Sequence, residues 1–275
     1  MHGLFGAKSG WGKSWYLQAW METNAPRYDY FVCLDYSDEF RGLVKSGLAA
    51  HYIVGPREAE AFGVDEWVQA LRQNPRLVLA RHELEPEEWR EQVVAPVIRA
   101  ARRLAQSSGS SSALTVIDEA HWAAPQSGKL PDVIKGMATT GRGEGSSSLW
   151  ATQRLTEIDE TIIGNVMLQI LGGYTSTGDL NKVGDAVEYP AEFHNPNALD
   201  LPSAVPDALQ VDGESRPLRR FTEGEGDDEH TIGSEWIHSD DKGNIERIDT
   251  RRVQMEATHY GDEGMKLVPP DMEDS

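Results

Sequence analysis

The stretch Gly6-Ala7-Lys8-Ser9-Gly10-Trp11-Gly12-Lys13-Ser14 constrains the fold more than any other part of the chain. Ala7 through Ser14 fit a phosphate-binding loop, with Ala in the first position where the usual pattern has Gly. Gly10 and Gly12 can adopt positive φ without penalty, so the backbone can fold into a nest of N–H groups facing an anion. In such a loop Lys13 supplies a cation to the β- and γ-phosphates and the Ser14 hydroxyl holds Mg2+. The positive end of the following helix adds to the anion site. Leu4-Phe5 reads as the end of a buried strand and Trp15 to Glu22 as a helix. The candidate nucleotide contacts are Ala7, Ser9, Gly10, Trp11, Gly12, Lys13, Ser14 and Trp15, with ATP and Mg2+ as the ligands.

The pattern downstream suits an α/β frame. Strands are expected over Tyr28–Asp35, Ala50–Val54, Arg76–Ala80, Ala113–Ile117, Ser148–Thr152 and Asn165–Leu171. Helices are expected over Asp38–Ser46, Asp65–Gln73, Glu85–Gln106 with a kink at Pro96, Pro131–Thr140 and Asp179–Val187. This alternation predicts a mainly parallel sheet covered on both faces. Ser107–Ser112 reads as a surface loop, and Ala208–Pro217 as a late hairpin finishing the sheet. Gly224–Glu229 reads as an acidic linker. A further hairpin is expected within 235–253, with disorder beyond Gly261. The reading is of a motor domain over 1–221 and a small acidic extension, β or irregular, over 222–275.

Charge bears on partners. The net charge is −19; residues 222–275 carry 16 Asp/Glu against 5 Lys/Arg, a net of −11, leaving −8 for residues 1–221. Such a chain is a poor non-specific polyanion binder, so nucleic acid would need a local basic patch. The acidity resembles that of proteins from salt-loving archaea, where high salt screens repulsion; an ordinary acidic cytosolic protein is the other reading. Cys33 is the only cysteine, which excludes a disulfide framework and suits a reducing cytoplasm. No stretch has the apolar length of a membrane span. The phosphate loop starts so close to Met1 that no targeting segment or N-terminal domain is expected before it.

The chemistry needs carboxylates, and Asp118-Glu119 directly follows the strand 113–117. Asp118 at the carboxyl end of a central strand can give Mg2+ its second protein contact. Glu119 can polarise a water aimed at the γ-phosphate, although adjacent acids on an extended strand face opposite sides, which would leave it merely solvated. Gln153 ends the next strand on the same side of the sheet and can hydrogen-bond the γ-phosphate or the attacking water, or serve as a polar strand terminus. Arg142 lies beyond a helix that covers roughly 14 Å, too far to reach its own γ-phosphate easily. Between glycines it can reach a neighbour's as an arginine finger in trans, or stay a solvated loop residue. The aromatic group Trp11, Trp15, Tyr16 and Trp20 contains two pairs at helical spacing, which suits a core or subunit-packing face.

These residues together resemble the HerA/FtsK group of ring-forming ATPases, and more closely HerA-like proteins. The resemblance rests on Gly10-Trp11-Gly12-Lys13-Ser14, Asp35 with Glu39-Phe40, Val116 to His121, Gly141-Arg142, and Thr152-Gln153-Arg154 running into Ile158-Asp159-Glu160-Thr161-Ile162. Gly213-Glu214 and Arg216-Pro217 look like the family's closing hairpin, and coverage is roughly residues 3–220. The resemblance implies a RecA-like fold of the additional-strand, catalytic-glutamate division. It implies Glu119, Gln153 and Arg142 as base, γ-phosphate sensor and trans finger. It also implies a homo-hexameric ring with double-stranded DNA in its channel. Ala7 and Leu155 depart from the family pattern, and neither the β-barrel of cellular HerA nor the winged helix of FtsK is expected.

The stripped-down form looks like the packaging or accessory ATPases of archaeal viruses and plasmids, with a viral or nuclease partner. Lys129 and Lys135 are channel candidates or ordinary surface lysines. A motor for protein transport or for assembling a virion or secretion complex is the alternative from another class. A GTPase switch fits less well, because Asn181-Lys182-Val183-Gly184 lacks the Asp that reads guanine.

Overall fold

Strand, glycine loop and helix open the chain in the computed structural model, which describes residues 1–107, 111–224 and 230–260. Strands β1 to β7 are His2–Gly6, Tyr30–Asp35, Ala50–Val54, Arg76–Arg81, Ala113–Ile117, Ser146–Thr152 and Leu168–Leu171. They pair in parallel in the order β7-β1-β6-β5-β2-β4-β3. Helix α1 (Lys13–Asn24) follows β1, and α2 (Arg41–Lys45) follows β2. The helix expected over Glu85–Gln106 runs from Pro86 to Ser107, and its turn Trp89–Val94 is π-helical. That wide turn sits just before Pro96, whose missing N–H frees a carbonyl one turn back.

Alternation along a strand explains the two cores. On β2, Val32 and Leu34 face one apolar cluster while Phe31 and Cys33 face the other, and all four are buried. A sheet buried on both faces is what continuous runs of β-formers build. No helix among the described residues is long and apolar enough to cross a membrane.

Three further strands complete the sheet: β10 (Arg220–Glu223), β11 (His230–Asp240) and β12 (Ile245–Asp249). The sequence places an acidic extension after Phe221, yet the sheet runs on across that point. β11 pairs antiparallel with β7 through Ile237–Asp240, with β12 through Glu235–Ser239 and with β10 through its first half. The outer edge of β7 is thereby covered, an edge that would otherwise leave a row of unpaired backbone groups. Trp236 is the apolar reason for the docking: its ring lies 5.0 Å from Phe5 and 5.2 Å from Tyr16.

The hairpin expected to finish the sheet around Gly213 is instead a separate two-stranded ribbon, β8 (Gln210–Val211) with β9 (Glu214–Ser215). Strands of two residues have no apolar face with which to join the main sheet. The loop read over 107–112, the linker read over 224–229 and the tail beyond Gly261 fall wholly or partly outside the described residues.

Candidate nucleotide site

Between β1 and α1 the backbone turns at Gly10 (φ 75°) and Gly12 (φ 79°). An L-residue would pay about 1–2 kcal/mol at each such position, which is why Gly stands there. The loop is fixed by bonds to its surroundings. Lys8 N donates to the Gly173 carbonyl (2.9 Å), Thr231 Oγ1 donates to the Gly10 carbonyl (2.9 Å) and Ser234 Oγ donates to the Trp11 carbonyl (2.7 Å). In a trans peptide the N–H points opposite the preceding carbonyl, so tying the Trp11 carbonyl to Ser234 turns the Gly12 N–H the other way.

Trp11 is the anchor of this loop rather than a wall of the cleft. Its ring is 1% exposed and lies against Gly172 and Gly173, where any Cβ would collide with it. Its Nε1 donates to the Glu235 carbonyl (3.1 Å). Ala7, the departure from the usual loop, is buried with its methyl against Gly172. Since α1 begins at Lys13, the pairing of Trp11 with Trp15 at helical spacing does not exist; Trp11 belongs to the loop. Trp11→Ala is expected to cost about 3–5 kcal/mol of stability, as large aromatic truncations in a core do, and urea unfolding measures it.

The loop and the two acids meet although 105 residues separate them. Lys13 Nζ lies 2.7 Å from Asp118 Oδ1 and 3.2 Å from Glu119 Oε1. Burial pulls the Lys13 ammonium towards neutrality, but the two carboxylates outweigh it and hold its pKa above the ordinary value. Asp118 is pushed up by burial, against the pull of Lys13. Its Oδ1 takes the lysine, while its buried Oδ2 has no hydrogen-bond partner among the described residues.

Glu119 faces the same site because β5 has already ended at Ile117 and Glu119 is left-handed, φ 43° and ψ 51°. This conformation costs a non-glycine residue on the order of 1–3 kcal/mol and is typical of functional positions. Glu119 Oε1 also accepts from Gln153 Nε2 (2.8 Å), and Oε2 lies 3.3 Å from His121 Nδ1. The same His121 Nδ1 lies 3.2 Å from the Thr152 hydroxyl, so the ring bridges Glu119 and the neighbouring strand.

Ser14 follows Lys13 on α1, and Ser9, Ser14, Trp15 and Gln153 line the same cleft. Mg2+ takes oxygen ligands, and the Ser14 hydroxyl with the unpartnered Asp118 Oδ2 are donors of that kind. The residues fit the ion.

The backbone of residue 142 lies away from this site. Its turn, Gly141–Glu144, precedes β6, whose other end, Thr152, is the one that adjoins Gly6 and Gln153. A strand of this length separates the two ends by about 20 Å. Lys135 pairs with Asp159 at 3.7 Å. The motif Ile158–Ile162 is structural: Asp159 Oδ1 caps the helix Glu160–Ile163 by accepting from Thr161 N (2.8 Å), and Ile158 is fully buried.

Asp35 ends β2, and its two oxygens accept from Glu39 N (3.0 Å) and Phe40 N (2.9 Å). Burial, then the nearby Asp118 charge, pushes its pKa up to about 8 from an ordinary 3.8. The folded chain therefore keeps a proton that the unfolded chain has lost between those values. Its contribution is full below pH 3.8 and is lost as pH rises through about 8. Asp35→Asn removes this loss, so wild type should fall behind the variant by about 1.4 kcal/mol per pH unit on the way from 6 to 8. Melting temperatures of the two proteins across that range check it.

The architecture is an α/β fold with a mainly parallel central sheet and a glycine loop between β1 and α1, and it matches the fold of solved P-loop ATPase structures. No family model matches the sequence, and no curated protein matches it. Among solved structures, it resembles the genome packaging NTPase B204 from Sulfolobus turreted icosahedral virus 2 in complex with ATP-gammaS. That match has a TM-score of 0.58 and 12% identity over 90% of this chain and 95% of that one. B204, the DNA-packaging ATPase from Sulfolobus turreted icosahedral virus, gives 0.54 at 12% identity over 90% and 95%. VirB4 of Thermoanaerobacter pseudethanolicus gives 0.51 at 10% identity over 84% and 88%. At these identities the likeness is one of fold.

Proposed function

We propose that this chain is an ATPase that works as a homo-oligomeric ring, a hexamer by its resemblance, and moves double-stranded DNA. The observation that carries the ATPase reading is the convergence of Lys13, Asp118, Glu119 and Gln153 beside a glycine loop that turns through positive φ at Gly10 and Gly12. In this reading Lys13 leaves the carboxylates for the phosphate oxygens, and Ser14 and Asp118 hold Mg2+, which when bound neutralises charge on those oxygens. Glu119 takes a proton from the attacking water, and Gln153, already bonded to Glu119, orients that water. Arg142, remote from its own site, serves the neighbour's.

The DNA reading is supported by the fold shared with packaging NTPases over nearly the whole length of both chains. Genome packaging for a virus of a salt-loving archaeon, in the host cytoplasm and with a viral or nuclease partner, is the setting that also suits the net charge of −19. The motor would comprise residues 1–221, with the acidic residues from 222 as an extension of it. The same charge favours a second reading, a motor that moves protein or assembles a virion or secretion complex.

ATPase rate with and without duplex DNA, at molar salt and alongside mass in solution, separates them. A ring whose rate rises with DNA supports the first reading. A ring that hydrolyses ATP indifferently to DNA supports the second.

A further inference from the structure

The acidic extension has a place in the site that the phosphate loop alone does not explain. A single cleft of about 1340 Å³ runs from Lys13, Ser14 and Trp15 to the segment Val253–His259. It is larger than the roughly 300–1,000 Å³ typical of small-molecule sites, so a whole nucleotide has room in it. The phosphates belong at the loop, where the N–H groups and Lys13 are. A nucleoside attached to them must extend into the remainder of the cleft, and much of that remainder is walled by this strap.

The strap is not loosely draped. It lies across α1, the helix that carries Lys13 and Ser14. Glu22 on α1 accepts from Glu256 N (2.7 Å) and Ala257 N (3.2 Å). Fully buried Gln18, also on α1, donates to the Ala257 carbonyl (3.2 Å) and accepts from His259 Nδ1 (2.9 Å). α2 gives it a seat: a Cβ on Gly42 would collide with the Thr258 carbonyl and the Gln18 amide. Beyond it the Tyr260 ring lies under Lys45 Nζ at 3.7 Å. Polar groups of α1 are thus spent on the backbone of a segment with little apolar burial of its own, Ala257 excepted. That arrangement holds a wall at a fixed distance from the loop.

We propose that the strap 253–259 is the nucleoside-binding wall of the site, contacting the base and ribose of the triphosphate whose phosphates the loop holds. This rests on the nucleotide reading above, and the test is chosen to tell the two apart. Two probes are used, ATP and inorganic tripolyphosphate, which shares the phosphates and lacks the nucleoside. Binding to the full chain is measured by calorimetry for wild type, for Glu22→Ala, which frees the strap, and for Thr258→Trp, which fills the cleft from an exposed position.

The expected result is a loss of about tenfold or more in ATP affinity in both variants, with tripolyphosphate affinity unchanged. Equal loss for both probes in the two variants, or unchanged ATP affinity, overturns the assignment. Wild type that binds neither probe overturns the nucleotide reading itself.

Discussion

Glu119→Gln is expected to lower ATP turnover by about 10²–10⁴, the usual contribution of a positioned general base, while ATP affinity stays within about threefold. The substitution keeps the size and one oxygen of the side chain, so the contacts of Oε1 with Lys13 and Gln153 can be re-formed in part. What is lost is the basic oxygen. The left-handed backbone at Glu119 matters here, because it is what turns the carboxylate onto the lysine instead of into solvent. Equilibrium binding of ATP and steady-state phosphate release, measured on the same preparation, give both numbers. Turnover within tenfold of wild type would remove Glu119 from the reaction.

Arg142→Ala should lower the rate by about 10³–10⁵ if it acts as a trans finger, again with ATP affinity nearly intact. The turn Gly141–Glu144 lies at the end of β6 opposite Gln153, so in this proposal the finger would serve the site of a neighbouring subunit. Mixing supplies the stronger check. A Glu119→Gln subunit keeps its finger and an Arg142→Ala subunit keeps its base, so mixed rings contain some complete sites. Activity above that of either variant alone is the expected result. Activity retained by dilute, monomeric Arg142→Ala, or no gain on mixing, contradicts the assignment.

Much of the frame was legible in the chain because it follows local rules. The runs Ala50–Val54 and Ala113–Ile117 are bounded as read, since β-branched and apolar residues there are flanked by turn formers. The positions of Gly10, Gly12, Lys13 and Asp118 were also legible, as the spacing of strand, loop and helix leaves little choice.

What was not legible depends on tertiary contact. The loop motif places Trp11 before the helix, but nothing local shows that its ring anchors the loop; that follows from Gly172 and Gly173, far along the chain. Likewise Thr231 and Ser234 sit in a segment whose strongest signal is negative charge, and their hold on the loop carbonyls follows only once β11 is paired beside β7. His121 could have been suspected from its place two residues after Glu119, but its bond to Thr152 needs the neighbouring strand. The left-handed turn at Glu119 is the one local feature that the alternation rule for strands misjudges.

The most direct test of the account is phosphate release from ATP by the purified full chain, with and without Mg2+, at low and molar salt, beside Lys13→Ala. Mg2+-dependent turnover that Lys13→Ala abolishes is the predicted result. Turnover in wild type no greater than in Lys13→Ala under every one of these conditions, duplex DNA included, would contradict it.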